Sequence, residues 1–328
     1  KFKSGEHVPN LNVGGWHDAG DYDLRIESQA ATVYSLALAY EEFNVTYDET
    51  TINQNNKIVE MHKPDGTPDI LQQIEHGLIS IVNGYNSLGR LYRGIICPTL
   101  RQYTLLGDGI NMTDGKIFEN SKNDIKDDRL VFTEENPWRE LYVAGTLAGT
   151  SRAIKNYNPQ LSNECIKIAK TIWSKYKSVK FINNFAAIEL FLTTGDEEYK
   201  NYILNNINTE KQIINNAWLL GRALPLLKDE NYNSLVNSVL EKFKTEIENQ
   251  QSENPYGVPY KPDIWGAGWS IQEFGVKQYF LNKSFPKLFP KENMLKALNF
   301  VLGVHPGNNT SSFASGVGVN SLTVAYGV

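Results

Sequence analysis

At 328 residues the chain is long enough to bury a large core, as one big domain or two smaller ones. Hydrophobic residues make up 41% and charged residues 21%, a globular balance that excludes a disordered chain. The formal net charge of −5, with no basic cluster, argues against nucleic acid as a partner, and no apolar run is long enough to span a bilayer.

The first informative stretch is Gly-Gly-Trp-His-Asp-Ala-Gly-Asp-Tyr at residues 14–22. Asp18 and Asp21 stand three residues apart among glycines at 14, 15 and 20, which let a backbone bend tightly and approach a ligand closely. Trp16 and Tyr22 flank them. Aromatic faces beside polar groups suit a sugar ring, whose C–H faces stack while its hydroxyls hydrogen-bond. Paired acids can share the work of orienting a water and taking its proton. Taken alone, Asp-Ala-Gly-Asp reads as a turn whose acids cap neighbouring amides; the flanking residues shift the reading toward a site.

Helix after helix follows. Gln29 to Phe43 places Val33, Leu36, Ala37 and Tyr40 on one face. Asp69 to Val82 opens behind Pro68, with an acid at its N-terminus. Residues 88 to 134 break the pattern. They are rich in Gly, Asp, Asn and Thr and contain the alternating run Arg101 to Leu106, which predicts a long loop with a short strand pair. Helices resume at Trp138 to Ile154, dense in Ala, Gly and Thr, behind Asn136 and Pro137. Arg139 and Glu140 read there as an exposed first-turn pair. Ser162 to Tyr176 has Ile166, Ala169, Ile172 and Trp173 on one stripe. Phe181 to Leu192 is apolar and stops at a Thr-Gly-Asp before a restart at Glu197. Ile213 to Leu227, Asn231 to Glu248, Ser270 to Leu281 and Glu292 to Leu302 complete about ten helices, far above the ordinary third of a chain. Short links favour antiparallel neighbours. Apolar helices alternate with amphipathic ones, as a ring of buried inner and half-exposed outer helices requires.

The nine-residue motif resembles the signature of glycoside hydrolase family 9, the family of many cellulases. Two later segments are similar to that family in the same order. One is Ala186-Ala187-Ile188-Glu189-Leu190 with Thr194-Gly195-Asp196-Glu197-Glu198-Tyr199. The other is Leu302-Gly303-Val304-His305-Pro306 with Ser312-Phe313-Ala314-Ser315-Gly316-Val317-Gly318. The resemblance runs from Gly14 to Gly318. It implies an all-α (α/α)6 barrel of six helical hairpins, read here as a single catalytic domain over 1–328. An N-terminal β-sandwich and the last barrel helix are expected to lie outside this sequence.

The resemblance also implies chemistry. Asp21 corresponds to the general base of an inverting glycosidase and Asp18 to its partner on the attacking water. The general acid of the family is a Glu beyond the Gly-x-Gly segment. This sequence carries no Asp or Glu after Glu292, so the 328-residue chain is expected to be impaired. The implied substrate is a β-linked glucan such as cellulose or its oligosaccharides, and the implied location is secreted, periplasmic or cell-surface. Trp16, His17, Tyr22, Trp138, Trp265 and Trp269 are the candidate sugar-binding residues, with packing as the competing role for Trp16, Tyr22, Trp265 and Trp269. His17 stands where the endoglucanases have a Tyr, and His305 where the family has an Asn.

Hydrolysis by two carboxyls needs no redox or organic cofactor. The five histidines lack zinc spacing. Asp108, Asp114, Asp127 and Asp128 do not fit an EF-hand and read as solvated loop acids; the resemblance leaves a structural calcium open. Cys97 and Cys165 form no metal motif, and one disulfide between them stays open. Two other classes compete: a non-catalytic carbohydrate-binding relic, and an (α/α) polysaccharide lyase acting on uronic acids.

Overall fold

The structure, a computed structural model, describes residues 2–8, 11, 13–17, 23–53, 55–56, 58–96, 130–179, 184–253, 255–259, 267–304, 308, 310–312 and 316–321; for 267–269 only the backbone is described. Two compact units emerge, Lys1–Asp196 and Glu197–Val328.

In the first unit, strand β1 (Leu24–Arg25) runs directly into α1 (Ile26–Phe43). A hairpin of β2 (Thr50–Asn53) and β3 (Ile58–Met61) precedes α2 (Asp69–Leu88). The short strands β4 (Gly94–Ile96) and β5 (Leu130–Phe132) follow, then α3 (Pro137–Ile154), α4 (Pro159–Tyr176) and α5 (Asn184–Thr194). β4 pairs antiparallel with both β1 and β5, with Leu24 opposite Ile95 and Ile95 opposite Val131. α1 packs on α2 and α3, and α3 packs on α4 and α5.

α3 is the centre of this unit. Every residue from Val143 to Ser151 is buried, and small residues explain how. A Cβ on Gly145 would lie 2.5 Å from the Phe185 ring, and one on Gly149 would lie 2.7 Å from the Tyr34 ring. Glycine therefore lets α5 and α1 close onto α3, where Tyr34 meets Phe185 edge-on at 5.3 Å between centroids. α3 and α4 open alike: Asn136 and Asn158 accept from the backbone N–H three residues on, each followed by Pro in the first turn. α2 and α4 bury one side only, as the alternation in the sequence predicted.

Between α1, α3 and α5 the core closes over a charge. Glu189 is fully buried; it accepts from Tyr34 Oη at 2.7 Å and from Arg152 Nη2 at 2.8 Å. Arg152 also pairs with Glu41 at 2.9 Å and donates to Thr193 Oγ1 at 2.6 Å. The two carboxylates hold the guanidinium charged against the cost of its burial.

The second unit contains α6 (Glu197–Asn206), α7 (Glu210–Leu227), α8 (Glu230–Ser252), α9 (Ala267–Ser284) and α10 (Lys291–Val301). A Thr209–Gln212 capping box starts α7. α7 packs on α8 and α9, and α9 on α10. Val258, Ile271, Ala297 and Phe300 form one of its buried apolar clusters, and a buried amide chain runs from Gln251 through Asn293 to Gln278.

All ten helices expected from the sequence are present among the described residues, most of them a turn longer at one end. The expected strand pair in 88–134 exists as β4 and β5, joined by β1 into three strands; Arg101 to Leu106 lies outside the described residues. The β2–β3 hairpin was not foreseen. Cys165 is a buried free thiol whose ionisation burial opposes, while Cys97, its possible partner in the sequence, lies outside the described residues. Among the described residues no helix is long and apolar enough to cross a membrane.

Candidate active site

The segment leading into the acidic motif is strapped to two helices. Gly14 and Gly15 have φ of 65° and 81°, in the left-handed region that favours glycine. A Cβ on Gly14 would stand 2.2 Å from the His76 carbonyl oxygen, so the close approach also requires glycine. Gly15 N–H donates to that carbonyl at 2.9 Å, and the His76 ring Nε2 meets the Gly15 carbonyl at 2.9 Å. Trp16 donates its indole N–H to Gln73 at 3.3 Å and tilts against the His76 ring at 5.7 Å. Its backbone N–H and carbonyl both engage the side-chain amide of Gln29.

The Trp16 ring lies over Gly77 of α2, where a Cβ would meet it at 2.5 Å and Val33 at 2.4 Å. Replacing Gly77 by Ala is expected to cost ~1–3 kcal/mol by overpacking, even though Ala favours a helix by about 1 kcal/mol. Urea unfolding of the variant measures the loss, and a shifted Trp16 indole resonance locates it.

Of the other sequence candidates, His17 is exposed and Trp138 projects from the first turn of α3 with 63% of its surface open. Asp18, Asp21, Tyr22, Trp265 and His305 lie outside the described residues, as do Asp108, Asp114, Asp127 and Asp128. Trp269 is placed only as a residue of α9. Beyond the motif, buried Asp23 accepts from Arg25 Nε at 2.7 Å, and β1 enters its ladder.

Arg139 and Glu140 are not the exposed pair that their local sequence suggested. Arg139 turns inward and pairs with Glu27, in the first turn of α1, and with Glu134. Glu140 is buried and faces Tyr176 at the end of α4. The Tyr176 hydroxyl stands 3.1 Å from Glu140 and 3.3 Å from Glu135, so one phenolic proton serves two carboxylates. Lys175 lies 3.6 Å from Glu135 and 4.5 Å from the Tyr176 ring centroid. Burial pushes the Glu140 carboxyl above the usual glutamate range, only partly opposed by Lys175 and the Tyr176 hydrogen bond. Tyr176 and Tyr85 are likewise raised, chiefly by burial.

A carboxyl whose pKa rises on folding contributes most below its unfolded value, about 4.3, and loses that contribution as pH climbs through the folded value. Glu140→Gln is therefore expected to flatten the fall in stability between pH 4 and 7. Thermal melts of both proteins across that range check it; parallel curves would assign the burial no titrating consequence.

The residues that sequence reasoning missed here are Gln29, Gln73, His76, Glu27 and Tyr176. One signal was available: Gln29 is a polar residue on the stripe formed by Ile26, Ala30 and Val33. Among the described residues no group of three His, Cys, Asp or Glu could hold a metal ion. Asp48 and Asp69 instead accept backbone N–H groups, from Asp65 and Gly66 and from Glu49 and Thr50, fastening the base of the β2–β3 hairpin.

Comparison with known proteins extends these observations. The family model described as glycosyl hydrolase family 9 matches residues 6–326. Endoglucanase D of Acetivibrio thermocellus is 23% identical over 363 residues, covering 97% of this chain and 53% of that protein. Endoglucanase A of Fibrobacter succinogenes is 23% identical over 235 residues, covering 60% of this chain and 48% of that protein. The chain spans about half the length of these curated relatives. The crystal structure of the family 9 endoglucanase J30 matches with a TM-score of 0.67 at 18% identity, over 94% of this chain and 59% of that one. An endoglucanase from the termite Nasutitermes takasagoensis matches with a TM-score of 0.64 at 16% identity, over 95% and 74%. These likenesses put the helices in the all-α (α/α)6 class that the sequence predicted.

Proposed function

The chain belongs to glycosyl hydrolase family 9, and on that premise we propose that it is the hydrolytic part of an inverting glycosidase acting on a β-linked glucan such as cellulose. Asp21 takes the proton from the attacking water and Asp18 holds that water. No cofactor enters, since hydrolysis by inversion needs two carboxyl groups and a shaped cleft. Trp16, His17, Tyr22, Trp138, Trp265 and Trp269 contribute sugar contacts. The large exposed face of Trp138 favours stacking, whereas Trp16 spends much of its ring on Gly77. A polymer that cannot enter a cell calls for a location outside the cytoplasm: secreted, periplasmic or on the cell surface.

The observation that carries this reading is the family match across residues 6–326, which includes the acid-bearing motif at 14–22. Hydrolysis of β-cellobiosyl fluoride, whose leaving group needs no general acid, tests it in this chain. Release of cellobiose supports the reading. Binding without turnover favours a carbohydrate-binding relic, and an unsaturated, ultraviolet-absorbing product from a uronan favours a lyase.

A further inference from the structure

We infer that Gln29 is a positioning residue for the water-activating acids, acting as a two-pronged amide clamp on the backbone of Trp16, two residues before Asp18. This rests on the role proposed above for Asp18 and Asp21. Gln29 sits in the first turns of α1 and is 1% exposed. Its Oε1 accepts the Trp16 N–H at 2.8 Å, and its Nε2 donates to the Trp16 carbonyl at 2.7 Å. Both prongs thus close on one residue's backbone, as a neighbouring strand would. A buried amide is costly unless its groups are paired, and these are paired with the loop.

Other contacts give the clamp its purpose. The Gly15 N–H and carbonyl engage His76, so two successive residues are held by two different helices. On the other side, Asp23 grips Arg25 and Leu24 pairs with Ile95. In the sequence, Asp18 and Asp21 fall between these two sets of anchored residues. Water activation depends on sub-ångström placement, and a misplacement of 1 Å can cost about 10²-fold in rate. An apolar residue in place of Gln29 would suit the surrounding Ile26, Ala30 and Val33 but would release Trp16.

The test compares wild type, Gln29→Leu and Asp21→Asn on β-cellobiosyl fluoride, whose leaving group needs no protonation, together with amide hydrogen exchange at Trp16. Gln29→Leu is expected to speed exchange at Trp16 by at least about 10-fold. Its kcat per folded molecule is expected to drop ~10–100-fold with KM within about threefold. Unchanged exchange, or faster exchange with unchanged kcat, overturns the inference. A purely structural residue would lower the folded fraction and leave kcat per folded molecule alone. Full activity in Asp21→Asn, or no turnover by wild type, contradicts the catalytic reading instead, and the exchange measurement still decides the clamp.

Discussion

Asp21→Asn is expected to lower kcat by ~10²–10⁴-fold on β-cellobiosyl fluoride, whose leaving group needs no general acid, with KM little changed. The asparagine keeps the shape of the side chain and can still hydrogen-bond the sugar or the water. It cannot accept a proton from that water at a useful rate. The loss therefore falls on the chemical step rather than on binding. Asp18→Asn is expected to lose less, because orienting a water is a smaller contribution than deprotonating it. Steady-state kinetics with the two single variants measure the order. Sodium azide supplies a check within the experiment: it needs no base, so it restores turnover in Asp21→Ala, with a glycosyl azide as product. A loss in Asp18→Asn equal to that in Asp21→Asn would reverse the assignment of roles.

The second large effect concerns stability. Arg152→Leu takes from the fully buried Glu189 the guanidinium that pairs with it at 2.8 Å. Breaking a buried pair from one side typically costs about 3–5 kcal/mol, a large share of a domain's total stability. Urea unfolding at pH 7 measures it. Without the guanidinium, the buried carboxyl takes up a proton more readily, so the deficit shrinks as pH falls. The Arg152→Leu/Glu189→Leu double variant removes the guanidinium and the fully buried carboxylate and is expected to recover part of the loss, since the remaining partner, Glu41, keeps 22% of its side chain exposed. A double variant as unstable as the sum of the two singles would mean that the ion pair is not coupled.

Why some of this was legible in the sequence, and some not, follows from the range of the interactions. Helices announced themselves because their signals are local. Asn136-Pro137 is a capping pair, and the Gly- and Ala-rich run of α3 declared close packing. α4 nonetheless begins at Pro159, earlier than its apolar stripe indicated, because its first turn is largely polar and satisfied by its cap. The β2–β3 hairpin escaped because β3 buries neither face: Ile58, Val59 and Met61 are all exposed, so no alternation betrays the strand. Glu140 misled for a different reason. Arg-Glu in a first turn looks solvated, and only Tyr176, 36 residues on, makes it a buried group. The acids themselves were the clearest feature of the chain, carried by glycines and aromatics at fixed spacing. The frame around them was not, because Gln29 and His76 hold backbone atoms, and a backbone partner leaves no mark on the residue it holds.

Asp18 and Asp21 follow in sequence a segment anchored on α1 and α2, and their proposed work is to activate a water that attacks a β-glycosidic carbon from the opposite face. The stereochemistry of the first product tests it most directly, read by proton NMR before mutarotation during hydrolysis of β-cellobiosyl fluoride. The account predicts the α-anomer of cellobiose as the initial product. Initial formation of the β-anomer would contradict it.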